Sequence, residues 1–155
     1  MIQRIPQKTK DDCAICVVAM VMDQPYTYER VLKDSADFSM TTVDGKFLAW
    51  WEIYLVREGF EKAYRPFADL YRLPDANGNV RGILGMDIPR LRWRHVVAVD
   101  ELGIVDPAAG APQHISVQEY VFSRLPQGVR FDDEFLAVRK HLQIGSRRPE
   151  WHSTS

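Results

Sequence analysis

Cysteine is scarce, with two in 155 residues. That is too few for the disulfide framework of a small secreted domain. Cys13 and Cys16 lie three residues apart, a spacing that permits a strained bridge but no structural staple. This usage predicts a reducing compartment and a cytoplasmic location, with delivery as an effector without a classical signal peptide as the alternative. A charge excess of either sign is missing too: 20 Lys and Arg stand against 21 Asp and Glu, for a net charge of −1. General nucleic-acid binding relies on surplus cations, so no nucleic-acid partner is expected. Long hydrophobic runs are absent. The longest, Ala14 to Met22, covers nine residues, against roughly 20 for a membrane span. The opening MIQRIPQK is polar and lacks the apolar segment of a signal peptide. The four histidines, at 95, 114, 141 and 152, have no HxxxH spacing to join the cysteines around zinc, and no metal or other cofactor is expected. Repeats, linkers and low-complexity segments are missing as well. The length predicts one domain over residues 1–144, with 145–155 a disordered tail.

What the sequence does have is concentrated in two stretches. The first is QKTKDDCAICVVAMVM, Gln7 to Met22. Asp11 and Asp12 precede Cys13, and the nine-residue apolar run follows. Asp is a favoured helix N-cap, so the pattern predicts a core helix from about Cys13 to Met22, although its Val and Ile content also suits a strand. A thiol at a helix N-terminus sits in the partial positive charge of aligned peptide dipoles, which favours the thiolate. Cys13 is therefore a candidate nucleophile, or else a small buried hydrophobe.

The second stretch is RLRWRHVVAVDELGIVDPAAG, Arg90 to Gly110. Period-two alternation places Leu91, Trp93, His95, Val97 and Val99 on one face of a strand, with Arg90, Arg92 and Arg94 on the other. A turn at Asp100 to Gly103 returns the chain antiparallel. With Val99 opposite Ile104, Asp106 falls on the face of His95, one diagonal step away. Diagonal neighbours lie about 7–8 Å apart, within reach of an Asp–His hydrogen bond. A bulge at Gly103 would change that register. Cys, His and Asp together supply a nucleophile, a base and a carboxylate that orients the base. Gln7, six residues before Cys13, is a candidate oxyanion donor beside the Cys13 backbone N–H. Trp93, on the face of His95, is a candidate wall of the substrate cleft. Taken singly, His95 also reads as a satisfied strand histidine, Asp106-Pro107 as a turn starter and Gln7 as a surface polar residue.

Around these stretches the pattern predicts helices at Tyr28 to Ser35, within LAWWEIYLVREG ending at Gly59, at Val117 to Arg124 and at Asp132 to His141. It predicts a loop with Thr41-Thr42 and Asp44-Gly45, an apolar segment Phe67 to Leu73 and a turn at Asp75 to Gly78. Strands are predicted at Arg81 to Ile88, Leu91 to Val99 and Gly103 to Val105. Helices, then strands, then helices read as α+β, with helices packed on an antiparallel sheet.

Order and spacing add a resemblance. Gln7, five residues, then Asp12-Cys13 opening an apolar helix, followed by HVVAVDELGIVDPA with a His at a strand start and an Asp before Pro, resembles the papain-like cysteine peptidases. The branch most similar is the one that processes bacteriocins by cleaving leader peptides after a double glycine. These motifs cover about a quarter of the chain. The resemblance implies a papain-like fold, Cys13 as nucleophile, His95 as base, Asp106 as third member, Gln7 as oxyanion donor, and a peptide or isopeptide bond in a peptide or protein partner as substrate. Where that branch has Gly after the cysteine, this chain has Ala14. Acyltransferase or amidase chemistry and a non-catalytic peptide-binding module are alternatives on the same fold. Cys13-Ala-Ile-Cys16 is also a CxxC, the motif of thiol oxidoreductases, but the polar KTKDD before it does not supply the strand that motif needs.

Overall fold

The computed structural model describes residues 1–38, 41–43, 46–76, 79–90 and 93–140. An irregular arm leads into helix α1 (Cys13–Met22), and α2 is Tyr28–Ser35. Strands β1 (Thr41–Val43) and β2 (Lys46–Leu48) pair antiparallel where a plain loop was expected. Then come α3 (Trp50–Arg57), β3 (Phe60–Pro66), a 3-10 segment (Phe67–Ala76), β4 (Arg81–Ile88), β5 (Trp93–Asp100), β6 (Gly103–Val105), α4 (Val117–Arg124), a 3-10 turn (Leu125–Gln127), β7 (Arg130–Phe131) and β8 (Glu134–Lys140). The fold is α+β, with an open antiparallel sheet in the order β3-β8-β4-β5-β6 and β7 beside β4.

Two cores cover the two faces of this sheet. Helices α1, α2 and α3 bury Val17, Val21, Val31, Tyr54 and Leu55 against Ile83, Val96, Ala98, Leu136 and Val138. On the other face, α4 and the first 3-10 segment bury Val117, Tyr120, Leu70 and Leu73 against Leu84, Met86, Val97, Val99 and Phe135. Every residue of α1 from Cys16 to Met22 is buried, as suits a helix that is apolar on all sides.

The segment from Asp132 to His141 corrects the expectation of a helix: it is the strand β8. Phe135 and Ala137 face one core while Leu136 and Val138 face the other. A central strand buried on both faces shows no alternation, so its apolar run is indistinguishable from a buried helix by pattern. Just before the strand, the Asp132 carboxylate accepts from Arg94 Nη2 at 2.6 Å. Phe60–Pro66, given no element by the sequence pattern, forms the edge strand paired along the full length of β8. His141, Asn77-Gly78 of the expected turn and the 145–155 tail lie outside the described residues.

The site is positioned by β5 and β6. They pair Val99 with Ile104 and Asp100 with Gly103, the expected register without a bulge. Gly103 has φ +127, and a Cβ there would sit 2.3 Å from the Ile115 carbonyl oxygen, so only glycine fits this close approach. Because β6 pairs with β5 only over Ala98–Asp100, the edge of β5 around His95 and Val96 lies beyond the end of β6. The N-terminus of α1 docks against this part of β5. Among the described residues no helix is long and apolar enough to cross a membrane.

Candidate active site

Asp12 stands at the N-cap position of α1, but its side chain makes no cap hydrogen bond. This corrects the capping expected from the sequence. Instead its Oδ2 accepts from the Lys8 amide at 3.0 Å and from the Tyr28 hydroxyl at 2.8 Å, and Gln7 Nε2 lies 3.5 Å from Oδ1. Burial works against the charged carboxylate; the Tyr28 hydroxyl and the backbone amides of Lys8 and Thr9 outweigh it and hold Asp12 below the ordinary carboxylate range. A tyrosine hydroxyl delivered by α2 competes with the helix amides for the same oxygens. The first-turn N–H groups of α1 therefore keep their partial positive charge at Cys13.

Cys13 is half-buried, and His95 and the backbone amides of Val96 and Ala14 act on its sulfur. His95 Nε2 lies 2.8 Å from Asp106 Oδ1, which leaves Nδ1 as the nitrogen facing the thiol. Burial raises the Cys13 pKa; the bonds from His95, the Val96 amide and the Ala14 amide overcome this and bring it below the ordinary thiol value. Burial likewise disfavours a charged His95, but Asp106 and the Cys13 sulfur reverse that effect and push its pKa up to about 9. The two shifts agree. Each partner stabilises the charged form of the other, which favours a thiolate–imidazolium pair.

Asp106 is itself buried and fully engaged. Oδ1 also accepts from the Ala108 amide at 2.9 Å, and Oδ2 accepts from the Tyr120 hydroxyl at 2.7 Å. Arg124 Nη2 lies 3.7 Å from Oδ2, and its guanidinium stacks over the Tyr120 ring at 4.5 Å. Tyr120 and Arg124 are one turn apart on α4, and no sequence pattern marked them. A Tyr120→Phe variant is expected to lose about 1.5–3 kcal/mol of folding stability, the range for a buried hydrogen bond to a charge. Paired denaturant curves for the variant and the parent check this; a difference below about 0.5 kcal/mol counts against the bond.

Gln7 reaches the site through the N-terminal arm. Its amide N–H donates to the Pro107 carbonyl at 2.7 Å. Arg4 Nε donates to the Asp106 carbonyl at 2.8 Å, and Arg4 Nη2 bonds the Ala108 carbonyl. Ile2 is fully buried, with its N–H on Asp100 Oδ2 at 2.7 Å and its carbonyl on Gln113 Nε2 at 2.7 Å. Gln7 Nε2 is turned to the Thr9 carbonyl at 3.1 Å. Gln7, His95, Asp106, Tyr120 and Arg124 all line one cleft of about 480 Å3, an ordinary size for a ligand site. His95 thus stands between Cys13 and Asp106, and Gln7 lines the same cleft as His95 and Asp106. Trp93 opens β5, but its side chain, like Leu91 and Arg92, lies outside the described residues. Arg94, from the expected basic row, is paired with Asp87 at 2.8 Å and with Asp132 at 2.6 Å.

Cys16 has different surroundings. It is fully buried. Burial, then the negative charges of Asp12 and Cys13, push its pKa up to about 12. A Cys16 thiol that is buried and protonated near neutral pH is a slow attacking group for thiol–disulfide exchange. The sequence matches no protein-family model and no curated protein.

Proposed function

We propose that this protein is a papain-like cysteine peptidase that cleaves a peptide or isopeptide bond through a Cys13 thioester. The observation that carries the reading is His95 held by Asp106 at 2.8 Å and acting on the Cys13 thiol at the N-terminus of a buried helix. The chemistry then follows from the geometry. Cys13 Sγ attacks the substrate carbonyl carbon, and the electron pair of the C=O bond moves to oxygen. The Cys13 N–H and a swung Gln7 Nε2 receive that oxyanion; one such donor is commonly worth about 100- to 1,000-fold in kcat. His95 Nδ1 gives its proton to the leaving amine as the C–N bond breaks. Water attacks the thioester, His95 Nδ1 takes its proton, the acid leaves and Cys13 is again a thiolate. Asp106 holds the imidazole orientation and stabilises its charge throughout.

Alkylation of the native protein with iodoacetamide across pH, read by peptide mapping, tests the reading. Cys13 is expected to label selectively, with an apparent pKa below the roughly 8.5 of a free thiol. Cys16 is expected to stay unlabelled until the fold is opened with denaturant. A Cys13 that is inert, or that labels only as a free thiol does, removes the nucleophile and the proposal with it.

A further inference from the structure

The cleft beside His95 has a position and a charge that bear on which substrates it takes. In acyl transfer the acyl half of the substrate stays on the nucleophile, and the other half departs beside the group that protonates it. His95, Asp106 and Gln7 line this cleft, whereas Cys13 does not. A lining that holds the acid and the oxyanion donor but not the nucleophile is what a cleft on the leaving side of the scissile bond would have. Ile88, Ala108 and the Tyr120 ring contribute apolar wall.

Its charged lining is one-sided. Lys8, Lys10 and Arg124 all line it, and Asp106 is the one carboxylate among the lining residues. That carboxylate already accepts from His95, the Ala108 amide and Tyr120, and Arg124 Nη2 lies 3.7 Å from its Oδ2 with the rest of the guanidinium over the Tyr120 ring. Lys8 pairs with Glu29 at 3.1 Å on the surface, with both side chains more than half exposed, and its ammonium lies 4.5 Å from the Tyr28 ring; a competing anion displaces the exposed ion pair at little cost. Lys10 is exposed and has no ion-pair partner among the described residues. In a chain of net charge −1, three cations and an imidazolium around one small cleft do not follow from composition. An anionic group entering there meets cations beside low-dielectric walls, where such attraction is focused.

We propose that this cleft selects substrates whose leaving segment carries a carboxylate close to the scissile bond, and that Lys8, Lys10 and Arg124 receive it. This rests on the peptidase reading above. The carboxylate comes either from an Asp or Glu side chain or from the free end of a short leaving segment, and the two sources are separable.

The test uses synthetic peptide pools randomised on the acyl side. Their leaving segments are fixed as Gly-Glu-amide, Gly-Gln-amide, Gly-Lys-amide, Gly-Gly-amide and Gly-Gly with a free carboxylate. A sixth pool carries the same acyl groups as benzyl thioesters, whose neutral leaving group reports Cys13 acylation by intact mass. At low salt, the Glu pool or the free-acid pool is expected to exceed its neutral counterpart about tenfold in kcat/KM, with the Lys pool slowest. The pool that gains identifies the carboxylate's source. The preference should shrink as salt rises toward about 0.5 M. Lys8→Ser with Lys10→Ser should bring the acidic-to-neutral ratio close to one, while Lys10→Arg keeps it. If thioesters acylate Cys13 but the peptide pools do not differ, or the Lys pool is preferred, the leaving-side proposal is overturned and the peptidase reading stands. If thioesters fail to acylate Cys13, both fall.

Discussion

A His95→Ala variant is expected to lose roughly 1,000- to 10,000-fold in kcat/KM, the upper part of the range for a positioned acid–base group. Two effects combine. The variant has no group to protonate the leaving amine, and the thiolate loses the imidazolium that brings the Cys13 pKa down. Iodoacetamide labelling of the variant should therefore shift to the pH range of a free thiol, near about 8.5. The fold should survive, because Asp106 keeps the Tyr120 hydroxyl and the Ala108 amide as partners. In the parent protein the same pair predicts a bell-shaped pH profile. Activity rises as Cys13 loses its proton, below the ordinary thiol pKa, and falls as His95 loses its own near pH 9. A His95→Ala variant that alkylates with the parent's pH dependence would falsify the ion pair.

Asp106 offers the second large effect, and two substitutions separate its roles. Asp106→Ala strips partners from His95 Nε2, the Ala108 amide and the Tyr120 hydroxyl at one buried position. Breaking a buried charged network from one side costs about 3–5 kcal/mol, and for a domain of this size that lowers Tm by roughly 10 °C. Asp106→Asn keeps the shape. Its oxygen can still accept from His95 and the Ala108 amide, and its NH2 can donate to a reoriented Tyr120 hydroxyl. What it removes is the charge that outweighs burial at His95. The alkaline limb of the pH profile should therefore move from about 9 toward the ordinary imidazole value of roughly 6.5. An alkaline limb that stays in place in Asp106→Asn, with the fold intact by circular dichroism, means that Asp106 does not hold the His95 proton.

The parts of this fold that were readable from sequence are those whose burial is one-sided or locally punctuated. Helices α1, α2 and α4 follow from apolar pattern and boundary residues. The hairpin register follows from alternation and a two-residue turn closed by Gly103. The neighbourhood of His95 and Asp106 was legible because eleven residues of one hairpin link them. The misread elements have opposite causes. Strand β8 is covered on both faces and lost its alternation, and β3 is a partly exposed edge whose pattern is weak. Tyr120 and Arg124 were invisible because the loop between β6 and α4 fixes which face of α4 meets Asp106, and no local pattern encodes that docking. The Asp12 side chain was misassigned for a similar reason. Local propensity predicted a cap, and a hydroxyl sixteen residues downstream took the oxygen instead.

The arm that carries Gln7 has a consequence for the nascent chain. Its anchors at Asp100, Asp106 and Gln113 lie 98 to 111 residues downstream in the sequence. Synthesis delivers the arm and the oily α1 first, and the sheet that covers them only much later. At ordinary elongation rates that gap is on the order of ten seconds. Through that interval α1 is a hydrophobic segment without a cover, the kind of surface that chaperones hold. The proposed nucleophile has no imidazole beside it and no cleft around it over the same period. On the proposed reading, chemistry at Cys13 waits until His95 and Asp106 have been made and folded against it.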